Sequence, residues 1–173
     1  RSFNDWLAET PTERLVRKHE QADILFRRLG ITFTVYGEEE GTERLIPFDI
    51  IPRILDAAEW EIIATGVCQR VDAINAFLHD IYHDQDILKA ERIPAELVLT
   101  NDAFRPEMLG LTLPRGVYAH VAGIDVVRVG EAAFYVLEDN VRTPSGVSYM
   151  LENRMTMMRL FPELFARNRV APV

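Results

Sequence analysis

The 173-residue chain carries 19 Lys and Arg against 27 Asp and Glu, a net charge of −8, with hydrophobic residues at 48%. That balance fits a globular domain long enough to bury a core. With no dense basic patch, it argues against nucleic acid as the main partner, because neutralising phosphates needs clustered Lys and Arg. No apolar run approaches the roughly 20 residues of a membrane-spanning helix. No signal-like apolar segment opens the chain, and the single cysteine, Cys68, fits a reducing, cytoplasmic setting. Arg1 at the start and ARNRVAPV at the close are expected to be cut points in something longer.

Thr10-Pro11-Thr12-Glu13 is the signature of a helix start, with Thr10 as N-cap, Pro11 in the first helical position and Glu13 closing a capping box. Leu15, His19, Ala22, Phe26 and Leu29 then recur at helical spacing, and Gly30 supplies the C-cap. His19, inside that stripe, reads as a satisfied or half-buried histidine rather than a ligand. Residues 31–37 and 44–50 read as a hairpin around the acidic turn EEEGTE. Glu38, Glu39 and Glu40 are adjacent there, which is expected of a solvated turn rather than a metal cluster.

From Pro52 to about Ile93 the chain reads as mostly helical, with Val67, Val71, Ile74, Leu78 and Ile81 forming one apolar stripe. His79 and His83 stand at the i, i+4 spacing of a zinc-protease helix. That chemistry requires a glutamate directly after the first histidine, as general base on the metal-bound water. The residue here is Asp80, and no third ligand is evident downstream, so the pair reads as a polar face near the end of a helix. Residues 95–114 read as irregular with one short helix. Pro114-Arg115-Gly116 then marks a division between a mostly helical region with a hairpin, 1–114, and a second region, 115–173.

Val117 to Val129 is apolar on both faces, as expected of a central buried strand. Gly130-Glu131 suits a two-residue turn, and Ala132 to Glu138 returns as the partner strand. If Val129 faces Ala132, Asp125 faces Val136, and Glu138 and Asn140 fall on the Asp125 side, with Glu138 diagonal at roughly 7–8 Å. Two carboxylates and an amide so placed can hold magnesium through oxygens at about 2.1 Å. A one-residue slip would break the arrangement. The same residues also read as a polar strand exit, with Asp125 paired to Arg128 or Arg142. The next loop leads into the helical YMLENRMTMM, where Ser145 or Ser148 can act as N-cap at an anion-binding helix start. Arg142 and Arg154 add cationic donors, and Leu151, Met155 and Met158 are expected to face inward. Metal ligands, a helix start and two arginines together suggest phosphate chemistry.

The strings QRVDAINAFLHDIY, GIDVVR, LEDNVRTPSGVSYMLENR and FPELF resemble the circularly permuted ATP-grasp family of bacterial proteins, over nearly the whole chain. Members of that family are described as uncharacterised or as glutathionylspermidine synthase-like. The resemblance implies an α+β chain, in which a mixed helix and hairpin region precedes the β-hairpin and helix of a circularly permuted ATP-grasp fold. The more distant glutathionylspermidine synthetase holds magnesium with an aspartate followed by Glu-x-Asn, a pattern on which Asp125, Glu138 and Asn140 fall. Serines that come after the ligands there correspond to Ser145 and Ser148, which become candidates for cofactor or substrate binding. An arginine two positions before the aspartate is Gly123 here, so its phosphate-stabilising role would pass to Arg142 or Arg154.

What the resemblance implies is an ATP- and magnesium-dependent carboxylate–amine ligase acting through an acyl phosphate. Its partners would be a small-molecule or peptide carboxylate and an amine, with neither nucleic acid nor membrane. Family members continue into a part with phosphate-binding lysines and an adenine pocket. The isolated chain is therefore expected to need the C-terminal half of the same protein and to be inactive alone. The alternative is a non-catalytic binding or scaffold domain that keeps the fold without the reaction.

Overall fold

Local capping chemistry sets the first elements. A computed structural model describes residues 3–35 and 42–172, so the acidic turn at Glu38, Glu39 and Glu40 lies outside the described residues. Thr10 does not cap the second helix. Its hydroxyl donates to the Trp6 carbonyl at 2.7 Å and closes α1 (Phe3–Glu9), while α2 (Thr12–Leu29) begins after Pro11 without a side-chain cap. Gly30 ends α2 in the left-handed conformation, φ 66°, and Ile31 N donates to the Phe26 carbonyl at 3.0 Å. The inward face of α2 steps through Leu15, Lys18, Ala22, Leu25 and Phe26. His19 falls one position outside that face and is exposed, as is Leu29 on the last turn.

The chain divides into two compact units, Arg1–Ile54 with Ser145–Val173, and Leu55–Pro144. In the first, β1 (Thr32–Val35) pairs antiparallel with β2 (Thr42–Leu45), Thr32 opposite Leu45. Trp6, Phe26, Phe48, Met157, Leu160 and Phe161 form its core, with Trp6 edge-on to Phe161 at 5.3 Å and Phe26 edge-on to Phe48 at 5.1 Å. The unit closes with α6 (Gly146–Leu160) and α7 (Pro162–Arg167). Phe161, fully buried between them, fixes the rotation of α6. Thr156, Met157 and Leu160 therefore face inward, and Leu151, Met155 and Met158 are exposed, the reverse of the expected stripe.

In the second unit, α3 (Ala57–Tyr82) starts at Asp56, whose carboxylate accepts Glu59 N at 2.8 Å. Val67, Val71, Ile74, Leu78 and Ile81 lie on its less exposed side, as their spacing predicts. After α4 (Asp86–Lys89) and α5 (Ala95–Leu99) come two 3-10 turns, Pro106–Met108 and Pro114–Gly116. The division point expected near Pro114 falls inside this unit. Buried Tyr82 stacks on Phe104 at 5.1 Å and accepts Arg105 N at 3.2 Å, tying the irregular segment to α3.

The last two strands, β3 (Gly123–Gly130) and β4 (Ala133–Asn140), form a two-stranded antiparallel ribbon. The first of them is not the central buried strand its apolar composition suggests: Val126, Val127 and Val129 are all exposed. Among the described residues no third strand pairs with either edge. The architecture is α+β, helices with two small antiparallel hairpins.

Candidate functional site

The hairpin register differs from the one expected, and the difference decides which side chains meet. The turn is Glu131-Ala132, with Gly130 opposite Ala133 and Ala132 at φ 51°. Pairing runs Arg128–Phe134, Val127–Tyr135 and Val126–Val136, then jumps to Asp125–Glu138, Ile124–Asp139 and Gly123–Asn140. Val129 and Leu137 are thus the extra residues of two bulges. Asp125 does not face Val136, and Glu138 is not diagonal to it. The two carboxylates are directly opposite, at the short cross-strand separation of about 4.5–5.5 Å between Cβ atoms.

The Leu137 bulge also sorts the two faces. Side chains alternate along a strand, so Asp125, Glu138 and Asn140 share one face, while Val126, Val136, Arg128, Phe134 and Asp139 lie on the other. Continuing the Val126–Val136 pairing without a bulge would set Glu138 opposite Ile124 and away from Asp125. On the first face Asn140 Nδ2 donates to Glu138 Oε1 at 3.0 Å, which leaves the Asn140 oxygen unused. Asp125 and Glu138 are exposed, and Asp125 makes neither hydrogen bond nor ion pair among the described residues. The alternative pairing of Asp125 with Arg128 or Arg142 does not occur.

The opposite face is held to α3. Arg128 pairs with Glu59 at 2.6 Å and lies over the Phe134 ring at 5.3 Å. Arg70 grips Asp139 with both ends of its fork, Nε to Oδ1 at 2.5 Å and Nη2 to Oδ2 at 2.8 Å. That pairing raises the Arg70 pKa and holds Asp139 below the usual carboxylate range, chiefly through the side-chain hydrogen bonds. An apolar groove of about 670 Å³, lined by Ile62, Val67, Val126, Phe134 and Val136, lies between α3 and this face, away from the carboxylate pair. Asn75 of α3 accepts the amides of Tyr118 and Ala119 at 2.8 and 2.9 Å, fixing the approach to β3.

Sequence reasoning missed Arg70, Asn75 and Glu59 as the residues that orient the hairpin. Of the three, only Glu59 left a local trace, three residues after Asp56 at the start of α3, where it completes the spacing of a capping box.

The remaining candidates divide between the units. Asp125, Glu138, Asn140 and Arg142 belong to Leu55–Pro144, and Ser145, Ser148 and Arg154 to the other. Arg142 is exposed and makes no hydrogen bond or ion pair among the described residues. Ser145 occupies the N-cap position of α6 without a side-chain cap bond, and Ser148 Oγ donates to the Ser145 carbonyl at 3.0 Å. Arg154 is engaged elsewhere, donating to the Ala171 carbonyl at 3.0 Å and lying over the Phe165 ring at 5.9 Å. Among the described residues no three His, Cys, Asp or Glu side chains form a metal-binding group. The third donor beside Asp125 and Glu138 is an amide. No helix among the described residues is long and apolar enough to cross a membrane.

Gly123 faces Asn140 at the mouth of this face. A Cβ there would lie 3.1 Å from Pro144 Cβ and 3.4 Å from Asn140 Cβ. The position where the distant relative has an arginine is thus crowded by the strand exit.

Comparison with known proteins covers most of the chain. An uncharacterised protein of Synechocystis sp. is 44% identical over 169 residues, 98% of this chain and 35% of the relative. An uncharacterised protein of Mycobacterium tuberculosis is 44% identical over 167 residues, 96% of this chain and 30% of the relative. A Frankia alni protein named "Putative glutamate--cysteine ligase 2-3" is 40% identical over 158 residues, 90% of this chain and 17% of the relative. The chain spans about a third of the length of the first two relatives. Residues 52–173 match the family described as a circularly permuted ATPgrasp, and the chain belongs to that family.

Proposed function

We propose that the full-length protein is an ATP-dependent carboxylate–amine ligase, and that this chain contributes the ligands for its divalent cation. One observation carries the reading. Asp125 and Glu138 stand directly opposite each other on an exposed hairpin face, with the free oxygen of Asn140 beside them. Like charges so placed destabilise a hairpin, and a hard cation turns that cost into binding. Two carboxylates and an amide oxygen suit magnesium, which takes one or two protein carboxylates and fills its other positions with water and phosphate. When bound, magnesium supplies charge neutralisation at the ATP phosphates.

In this reading Arg142, unpaired among the described residues, is the better donor to the transferred phosphoryl group. Arg154, tied to Ala171 and Phe165, has a secondary role. Ser145 and Ser148, at the start of α6, bind cofactor or substrate. The γ-phosphoryl group passes from ATP to a carboxylate oxygen, releasing ADP. An amine then attacks the acyl carbon and expels inorganic phosphate, giving the amide. The protein contributes position and charge rather than covalent chemistry. The carboxylate is a small molecule or peptide, the setting is cytoplasmic, and the 173-residue chain alone does not turn over without the rest of the protein. Family membership supports ATP use, and the ligase name of the Frankia relative supports the reaction class.

Magnesium-dependent ADP release by the full-length protein, across candidate carboxylates and amines, tests the reading. Glu138→Gln and Asn140→Ala should each abolish it. Release that persists in both would remove the ligand assignment. Absence of release with every pair would favour a scaffold that keeps only the fold.

A further inference from the structure

At the carboxyl end of α3, His79 and His83 point at each other with their Nδ1 atoms 3.1 Å apart and their rings at 74°. The third donor that sequence spacing did not reveal is in the backbone. α3 ends at Tyr82, and His83 N donates to the Asp80 carbonyl. The His79 carbonyl accepts instead from His83 Nδ1 at 2.9 Å. We propose that His79 Nδ1, His83 Nδ1 and the His79 carbonyl form a site for a late first-row divalent cation such as zinc, separate from the acidic hairpin face.

The distances fit such an ion. Two imidazole nitrogens bound at about 2.05 Å with an angle of roughly 100° at the metal stand about 3.1 Å apart. The His79 carbonyl oxygen lies 2.9 Å from His83 Nδ1, the separation of a nitrogen and an oxygen both bound at about 2.05 Å with a right angle at the metal. Imidazole is a preferred ligand of zinc, copper and nickel. The negative end of a 26-residue helix adds a favourable field for a cation. The rings are also restrained: His79 stacks on Tyr118 at 6.2 Å, and Asp80 accepts the amides of Asp86 and Ile87 at 2.9 and 3.0 Å, holding the turn after the helix.

Without metal, His83 Nδ1 carries the hydrogen donated to the His79 carbonyl, because a carbonyl can only accept. Metal binding needs both Nδ1 lone pairs, so that hydrogen moves to Nε2 of His83 through solvent. The remaining coordination positions stay with water. With Asp80 amide-bonded and no glutamate beside the pair, the site has no general base of the zinc-protease kind.

Isothermal titration of the 173-residue chain with zinc chloride at neutral pH tests the site. One equivalent should bind, and His79→Gln and His83→Gln should each weaken binding roughly tenfold or more. His19→Gln and His120→Gln should leave it unchanged. In wild-type protein, zinc should move the ring nitrogen resonances of His79 and His83 together, and not those of His19 or His120, which keeps the test valid should a variant fail to fold. Zinc affinity indifferent to both substitutions, or a pair whose resonances respond to pH but not to zinc, would overturn the proposal.

Discussion

Arg70 and Asp139, 69 residues apart, are joined by two parallel hydrogen bonds that fasten the end of β4 to α3. Asp139 lies between Glu138 and Asn140 but on the other face, so this contact orients the candidate ligands without touching anything they would bind. The pairing holds the Asp139 carboxyl below its ordinary value of 3.8. A depressed folded-state pKa contributes stability that is fully present above the unfolded value and is lost as pH falls through the folded one. Thermal unfolding monitored between about pH 2.5 and 6 should show Asp139→Asn losing less stability on acidification than wild type. High salt should shrink the difference, because the pair is solvent-accessible. Identical pH profiles would show that the pair contributes nothing to the fold.

Asn75 is a second fastening, between α3 and the segment that leads into the hairpin. Its Oδ1 accepts two backbone amides, and its Nδ2 donates to the Val71 carbonyl at 3.0 Å. Asn75→Ala should cost about 2–3 kcal/mol in denaturant unfolding, since it strands two part-buried amides. Asn75→Asp keeps the accepting oxygen and should retain most of that stability. Equal loss in both variants would mean that the amide bonds are not what matters at this position.

Crowding at Gly123 makes a separate prediction. A Cβ 3.1 Å from that of Pro144 is closer than ordinary packing allows. Gly123→Ala should therefore destabilise the chain by about 1 kcal/mol. Adding Pro144→Gly removes the atom it meets, so a double-mutant cycle should give a favourable coupling between the two sites. Additive effects would place the cost in the backbone rather than in the contact.

What was legible in the sequence obeyed local rules. Gly30 ends a helix because a left-handed residue is needed there, and the Val67–Ile81 stripe reports the inward side of α3 through simple periodicity. The acids were legible as a group, but their register was not. Bulges at Val129 and Leu137 leave no local signature, and two errors of phase happened to return Glu138 to the Asp125 side. The rotation of α6 was illegible for a similar reason. Phe161, beyond the helix end, fixes it by burial, and spacing within YMLENRMTMM carries no record of that anchor. Arg70–Asp139 and Asn75–Tyr118 are long-range pairings, which no window of local sequence can reveal. The His79 carbonyl leaves no trace in the sequence, because side-chain spacing does not show which backbone oxygens a helix end leaves to side-chain partners.

The Asp125–Glu138 juxtaposition gives the sharpest test of the cation reading, because it predicts opposite responses with and without metal. In a chelating buffer the two carboxylates repel, so Asp125→Asn should stabilise the chain by about 0.5 kcal/mol. At about ten times its dissociation constant, magnesium should stabilise wild type by about 1.4 kcal/mol. That corresponds to a rise in Tm of roughly 3–6 °C for a chain of this size. Asp125→Asn and Glu138→Gln should both lose most of the rise. Deleting Leu137 removes the unpaired residue and leaves Glu138 opposite Asp125, so that variant should keep it. A magnesium response that survives both substitutions would move the cation to other ligands. A response lost on deleting Leu137 would show that the bulge itself, and not only the facing pair, shapes the site.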